Sequence, residues 1–481
     1  MDGQWKQINK IHMGKAACAV DLGDGSERGE YVNQDYILRV LGRPHRSISL
    51  MYCYYPLDEG WPARASVAFA DKQVGFAWDY PYDDYFPYTG GLEGDTKGEL
   101  FECMRDVRRH GQDVTLTLTI DPHVSDAQLA RLGQDLSTFG RLFLRINHEA
   151  TGDWFSFNKR CSYQEVADFF VRASRIIKEN APNVSTIICI EGVPTPKSNK
   201  IIKEEEFART IPAADIWSVD KYMALHWGWP YDVAEPGGST HKRDTVKFTF
   251  DLIEKSYECF KRLNGGQPKP MIMSELNSDG DVTGPYEQAE MVRDFYGFIK
   301  KKDARWFSGL TFYQFRDRGR LGLEIEDPNN PEVGMPQPVL DTYREIIHDP
   351  WFQPEMTAAE PAELPVTLRW GGAEDAEGLS LPLILKANPV FCELYFEDDS
   401  NLMLEINGIW FYKSPKAKVI DLMPAFFQSP LSKKKELTLK IFAPPASGEN
   451  TRTEREDWTV NHYTTLHGLP RLRVRYDAVE K

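Results

Sequence analysis

The chain has 481 residues, 41 % of them hydrophobic and 27 % charged, with a formal net charge of −15. That balance is expected of a globular protein long enough for one large domain and a smaller one. The acidic surplus excludes the basic face that nucleic acid or an anionic membrane would require, and favours an uncharged ligand.

Seven cysteines (Cys18, Cys53, Cys103, Cys161, Cys189, Cys259 and Cys392) form no CxxC pair. They are expected to be buried free thiols in a reducing compartment. The first twenty residues hold no apolar stretch of signal-peptide length. No run approaches the roughly 20 apolar residues of a membrane span. The expected location is the cytoplasm, or outside the cell if a signal has been removed.

Taken in order, β-rich apolar runs fall at residues 16–22, 47–54, 114–120, 142–148, 186–190, 216–219, 271–274 and 310–315. They are continuous rather than alternating, as strands covered on both faces are. Helical windows separate them. Residues 95–109 place Leu100, Met104 and Val107 on one face. Ser125 with Gln128, and Ser162 with Glu165, spell capping boxes. Pro285 suits a first helical turn, and residues 204–209, 245–263 and 339–347 complete the set. Eight strands alternating with helices predict an α/β fold, a (β/α)₈ TIM barrel over residues 1–354. An open doubly wound sheet would need a Gly-rich dinucleotide fingerprint, which the sequence lacks.

Residues 355–364 read as a linker. Beyond them, short strands with turns such as Asn407–Gly408 predict a C-terminal antiparallel β-sandwich over 365–481. That sandwich either binds carbohydrate or braces the barrel. Two connections, 55–95 and 223–244, are long and rich in aromatic residues, among them Trp61, Trp78, Tyr88, Trp227 and Trp229. In a barrel both would lie at the C-terminal face, where active sites are built.

Strand four ends in Arg145, Asn147, His148 and Glu149, followed by Trp154, Phe155 and Phe157. Side-chain alternation puts Phe143, Arg145, Asn147 and Glu149 on one face. The same count aligns Met271, Met273 and Glu275 on strand seven, and Ser218, Asp220 and Tyr222 on strand six. Polar groups from three strands thus converge on one mouth. Burying two carboxylates there requires partners. Arg145, Asn147, His148 and Tyr222 are the candidates. A carboxyl pair is what glycoside cleavage needs, one protonated to donate to the leaving oxygen and one ionised to attack the anomeric carbon. Asp21, Asp121 and Glu191 also end expected strands and are the rival carboxylates.

The run His148-Glu149-Ala150-Thr151-Gly152-Asp153-Trp154-Phe155 resembles the acid/base motif of glycoside hydrolase family 26, within the clan of (β/α)₈ retaining hydrolases. That resemblance implies Glu149 as acid/base and Glu275 as nucleophile. It implies that Tyr222, in the Asp220-x-Tyr222 motif, orients the nucleophile, and that His148 and Trp154 line subsites. It also implies a β-mannan or β-glucan substrate. His148 can equally orient a neighbour within a network. The sequence departs from the family at Ser156–Phe157, at Thr119-Ile120-Asp121 and at strand eight, where Tyr313-Gln314-Phe315-Arg316-Asp317 stands in place of a tryptophan platform. Arg316 would suit a more acidic sugar. Trp78, Trp227, Tyr313 and Arg316 join Arg145, Asn147 and Asp220 as candidate substrate-binding residues.

No metal motif such as HExxH occurs, no G-x-S-x-G elbow is present, and no cofactor is called for. The alternatives are an exo-acting glycosidase of the same clan on an unusual or acidic polysaccharide, and a non-catalytic carbohydrate-binding barrel. The second would be expected to have lost one of the two glutamates.

Overall fold

The computed structural model describes residues 5, 7–23, 31–64, 86–90, 97–191, 194, 197–225, 242–317, 319–428, 436–446 and 460–477. Eight parallel strands form its centre: β1 (Ala19–Gly23), β2 (Ser47–Tyr54), β3 (Asp113–Ile120), β4 (Leu142–Ile146), β5 (Val184–Glu191), β6 (Ile216–Asp220), β7 (Met271–Leu276) and β8 (Phe307–Phe312). Each pairs with the next, and β1 pairs with both β2 and β8, which closes the barrel.

The apolar runs are continuous because both faces of each strand are covered. Phe143, Ile187, Ile216 and Ile272 pack together inside the barrel. Their neighbours in sequence, Leu142, Leu144, Ile188, Trp217, Met271 and Met273, join the larger core beneath the helices. The interior layer above the isoleucines is polar, with Arg145, Cys189, Ser218 and Ser274 continuing the same alternation, and Ser218 and Ser274 share a hydroxyl bond.

The long helices are α1 (Gln34–Leu41), α2 (Glu99–Arg109), α3 (Asp126–Leu136), α4 (Tyr163–Asn180), α5 (Val246–Leu263), α6 (Pro285–Lys301) and α7 (Pro338–Ile347). Both capping boxes form as the sequence spells them, at Ser125 with Gln128 and Ser162 with Glu165. Pro285 occupies the first turn of α6. The helix α1 has no counterpart among the expected windows, being only 8 residues long. Its boundaries are nevertheless chemical: Asn33 caps the start, and Gly42 ends it at φ 78°, a left-handed position that glycine adopts without strain.

Beyond residue 355 the described strands are antiparallel, in one large and one three-stranded sheet around a second apolar core. Two segments differ from the sequence reading. Asn9–Met13, expected within the barrel region, is a strand of the antiparallel sheet, hydrogen-bonded between Met356–Pro361 and Asp375–Ile384. Met356–Pro361 itself lies where a linker was expected. Its Ala, Glu and Pro composition reads as unstructured because it is an edge strand, where a proline and charged side chains are tolerated.

This sheet packs on the N-terminal ends of the barrel strands. Leu38 of α1 shares a cluster with Ile11, Met13, Trp370 and Met403. The Trp410 amide donates to the Gly42 carbonyl at 2.9 Å. His110, which follows α2, lies 3.9 Å from the Tyr412 ring by centroids. Its Nε2 contacts Asp35 of α1 at 3.0 Å and its Nδ1 contacts the Asp106 carbonyl at 2.7 Å.

Burial opposes the charge on His110, but its bonds to Asp106 and Asp35 outweigh burial and raise its pKa from 6.5 to about 9. A raised folded value contributes stability that is complete below about pH 6.5 and lost as pH climbs through about 9. We therefore expect His110→Ala to cost about 2 kcal/mol at pH 6. In urea unfolding the gap between wild type and variant should close as pH rises towards 9.5 or so; a pH-independent gap would refute the ionic role.

Candidate active site

Strand β4 delivers the chemistry, but not by the alternation expected of it. The strand ends at Ile146, and Asn147 and Glu149 adopt φ 52° and 46°. Left-handed backbone is unfavourable for residues with a Cβ, costing on the order of 1–2 kcal/mol each, and asparagine tolerates it best. Asn147 is held there by two bonds to β3: its amide donates to the Leu118 carbonyl at 2.9 Å, and its Oδ1 accepts from the Ile120 amide at 2.6 Å. The Ala150 amide donates to the Cys189 carbonyl of β5 at 3.0 Å, and the Gly152 amide to the Glu149 carbonyl at 2.9 Å.

Gly152 is required here. A Cβ on it would meet the Trp154 ring at 2.8–2.9 Å. With no side chain in the way, the Trp154 indole N–H donates to Glu149 Oε2 at 3.1 Å. The two phenylalanines are packing groups: Phe155 is stacked on Phe157 and lies edge-on to His148, and both are buried.

Strand β7 also departs from simple alternation. Met271 and Met273 point to the helices, not to the mouth, so strict phase would send Glu275 outwards with them. The register slips between Met273 and Glu275, and Glu275 lands opposite Asp220 of β6. A bulge that re-aims one side chain is a common device beside functional sites. Alternation in β6 is regular, and carries Ile216, Ser218 and Asp220 inwards.

These strand ends bring seven predicted residues together. His148 Nε2 lies 3.0 Å from Glu275 Oε1 and 3.9 Å from Glu149 Oε2, while its Nδ1 lies 3.4 Å from Asp220 Oδ2. Tyr222 donates its hydroxyl to Glu275 Oε2 at 2.6 Å. The Arg145 guanidinium sits 3.6 Å from Glu275 Oε1 and 3.9 Å from Asp220 Oδ2, and its Nε donates to Thr117 Oγ1 at 2.6 Å. Oxygens of Glu149, Asp220 and Glu275 and a nitrogen of His148 all lie within 4.8 Å of one another. Trp154 completes the group through Glu149.

One buried guanidinium faces two buried carboxyls, so the pair cannot both ionise cheaply. Burial, and then the charge of Glu275, raise Asp220 well above the ordinary carboxylate range. Burial works the same way on Glu275, but His148, Arg145 and the Tyr222 hydroxyl outweigh it and hold Glu275 low. His148 itself is driven down to about 4 by burial and then by Arg145. It is therefore neutral at pH 7 with a single N–H to give. A protonated Asp220 facing Nδ1 leaves that hydrogen on Nε2, directed at Glu275.

The sequence reading passed over two participants. Cys189 places its Sγ 3.1 Å from Asp220 Oδ2, and Thr117 anchors Arg145. The phase of β5, with Ile187 inside, would have found the first. Tyr313 is buried edge-on to Tyr222 and lines, with Gln314, Arg145 and Glu275, a cavity of about 10 Å³. The Arg316 guanidinium is taken up by Glu324, at 3.0 Å, and stands over the Tyr36 ring. Trp78 and Trp227 lie outside the described residues, as do Trp229 and most of the aromatic 55–95 connection. Of the rival carboxylates, Asp21 is paired with Arg46 at the opposite end of the barrel, and Asp121 bonds His123 and Arg160.

The cluster of His148 with Glu149, Asp220 and Glu275, and that of His148 with Cys189 and Asp220, have atoms close enough to share a cation. The guanidinium of Arg145 already supplies positive charge to two of these carboxyls. Removing it strands them. Arg145→Met is expected to lower the unfolding free energy by about 3–5 kcal/mol in denaturant titration at pH 7; a loss under about 1 kcal/mol would show that Arg145 is not the counter-charge.

No family model matches the chain, and no curated protein matches it in sequence. Solved structures do resemble it at low identity. A GH26 β-mannanase from Bacteroides ovatus is 12 % identical over 70 % of this chain and 90 % of its own, with a TM-score of 0.41. A family 51 α-L-arabinofuranosidase from Bifidobacterium longum is 10 % identical over 90 % and 99 %, at 0.42. A family 39 glycoside hydrolase from Bacteroides cellulosilyticus is 12 % identical over 89 % and 81 %, at 0.43. Scores of this size do not bear on chemistry.

Proposed function

We propose that the protein is a glycoside hydrolase that cleaves a β-linked glycan by double displacement, with net retention. The observation that carries this is the approach of a Glu149 oxygen and a Glu275 oxygen to within 4.8 Å across His148. Retaining enzymes hold their carboxyls roughly 5–5.5 Å apart, whereas inverting enzymes leave roughly 6.5–9.5 Å for a water.

In this scheme Glu275 is the nucleophile. It is ionised, and Tyr222 and His148 fix its two oxygens by hydrogen bonding. It attacks the anomeric carbon as Glu149 gives its proton to the departing glycosidic oxygen. Glu149, now ionised and facing the indole N–H of Trp154, then takes a proton from the water that hydrolyses the glycosyl ester. Forming that ester removes the negative charge of Glu275. Asp220 and Arg145 are then left as a neutral acid beside a cation, an arrangement that draws the ester back towards the free carboxylate.

For the substrate we infer a mannan- or glucan-type polysaccharide or oligosaccharide. Its support is the likeness of the His148–Phe155 run to the family 26 motif and the half-buried Trp154 ring beside the acid. The engagement of Arg316 with Glu324 offers nothing to the rival reading of an acidic sugar.

A polysaccharide panel with product analysis tests the whole. Glu149→Ala and Glu275→Ala should each lose at least about a hundredfold in turnover. Near wild-type turnover in either variant removes that residue from the scheme. Azide added to Glu275→Gly should restore cleavage and give a product of inverted configuration.

Tyr222→Phe removes one hydrogen bond to a charged group, so kcat should fall by about tenfold. Because Glu275 titrates below the ordinary carboxylate range, wild-type activity should persist as pH falls through about 4. Tyr222→Phe should move the acid limb of kcat/KM upwards. An unmoved limb would separate the tyrosine from the ionisation of the nucleophile.

A further inference from the structure

Asp121 directly follows β3 at the barrel mouth and takes no part in the carboxyl cluster. Its surroundings are organised for different chemistry. Asp121 Oδ1 accepts both the His123 amide, at 2.9 Å, and His123 Nδ1, at 2.8 Å. Its Oδ2 accepts from Arg160 at 3.1 Å, and Arg160 is gripped in turn by both oxygens of Asp58, at 2.9 and 2.8 Å. The carboxylate can only accept, so Nδ1 carries an imidazole hydrogen and, in the neutral ring, Nε2 presents the lone pair. Nε2 lies 3.9 Å from the Sγ of Cys161. The thiol therefore directs its hydrogen at a base whose tautomer is fixed by a third group, the relation that activates a nucleophile.

Cys161 differs from the other cysteines. Six of the seven are buried and Cys161 is partly exposed. It ends the short helix Ser156–Arg160, directly after the aromatic run that follows Glu149. Burial, and then the carboxylates of Glu165 and Asp121, push the thiol up to about 11, against the pull of Arg160. Preformed thiolate is thus scarce at neutral pH, and attack depends on a base that takes the proton as the new bond forms. A sulfur of low acidity is also the stronger nucleophile once deprotonated.

We propose that Cys161, His123 and Asp121 form a modification site on the rim of the barrel mouth that reacts with low-molecular-weight disulfides. The Cys161 sulfur attacks one sulfur of the disulfide as His123 Nε2 accepts the thiol proton. The disulfide bond breaks, a mixed disulfide forms on Cys161, and the departing thiolate takes the proton from His123. No electrons are gained or lost overall. The resulting adduct stands beside Arg160, which ties the connection after β2 through Asp58 to the end of β3 through Asp121, so it places bulk where two mouth connections are held together. This chemistry does not depend on the glycosidase reading.

The test treats the native, full-length protein with dithiodipyridine at pH 7, follows pyridinethione release and maps the adduct by mass spectrometry. One thiol per chain is expected to react in the fast phase, and to map to Cys161. Cys161→Ser should abolish that phase. His123→Ala, an exposed position, should slow it by about a hundredfold, and Asp121→Asn should slow it less. A fast thiol mapping elsewhere overturns the proposal. So does a slowing of less than tenfold in His123→Ala, the behaviour of a thiol that is merely accessible. Both results are read from thiol chemistry, so neither can be mistaken for a failure of the glycosidase assignment.

Discussion

The arrangement at the barrel mouth depends on one buried cation. Arg145 is 1 % exposed, and two carboxyls and a histidine are packed around it. A lone guanidinium in an apolar barrel would be prohibitively desolvated, and so would either carboxylate alone. Together they stand because the charge is shared unequally. Glu275 is held low by its donors and Asp220 is pushed up by burial, so the pair carries less negative charge than two free carboxylates would. Everything that distinguishes these two acids follows from what else they touch. Glu275 has Tyr222 and His148 as donors, whereas Asp220 meets the weak thiol donor of Cys189, the Glu275 backbone amide and Nδ1 of His148.

That division of labour constrains the barrel below. Phe143 and three isoleucines form an apolar cluster there, with the Asp21–Arg46 pair against Phe143 and a polar layer above. The transition occurs within a single strand pitch. It works because each polar side chain finds a partner on a neighbouring strand: Arg145 with Thr117, Ser218 with Ser274, Cys189 with Asp220. Closure of the sheet leaves no edge through which water could compete for those bonds.

The barrel was legible because its signal is cumulative. Eight apolar runs, two capping boxes and a proline at a helix start agree with one another, and the structure keeps them all within a few residues. The catalytic candidates were legible for a partly wrong reason. Counting alternate residues put Glu149 and Glu275 on the inner face, yet Glu149 arrives there through left-handed backbone and Glu275 through a register slip. Neither device leaves a mark in the hydrophobic pattern, because each is set by tertiary bonds, such as those from Asn147 to β3. The strand Asn9–Met13 was hidden likewise: its partners lie 343 residues or more away in the chain, as the pairing of Met13 with Met356 shows. Even the aromatic run after Glu149 divides once its environment is known, with Trp154 at the carboxylate and Phe155 and Phe157 beneath it.

Two residues with positive φ, a bulge and a frustrated carboxyl pair all sit at the C-terminal ends of β4, β6 and β7. Each is a local cost that a free peptide would relax at once. Here the backbone cannot relax, because Asn147 is bonded to β3, Ala150 to β5 and Glu275 is locked opposite Asp220. The antiparallel sheet contributes from the far side by packing its own core against the opposite ends of the strands, where Trp410 and Tyr412 meet Gly42 and His110. Rigidity is thus supplied at one end of the barrel and used at the other. The low titration of Glu275 and the position of Glu149 are therefore properties of the folded barrel itself.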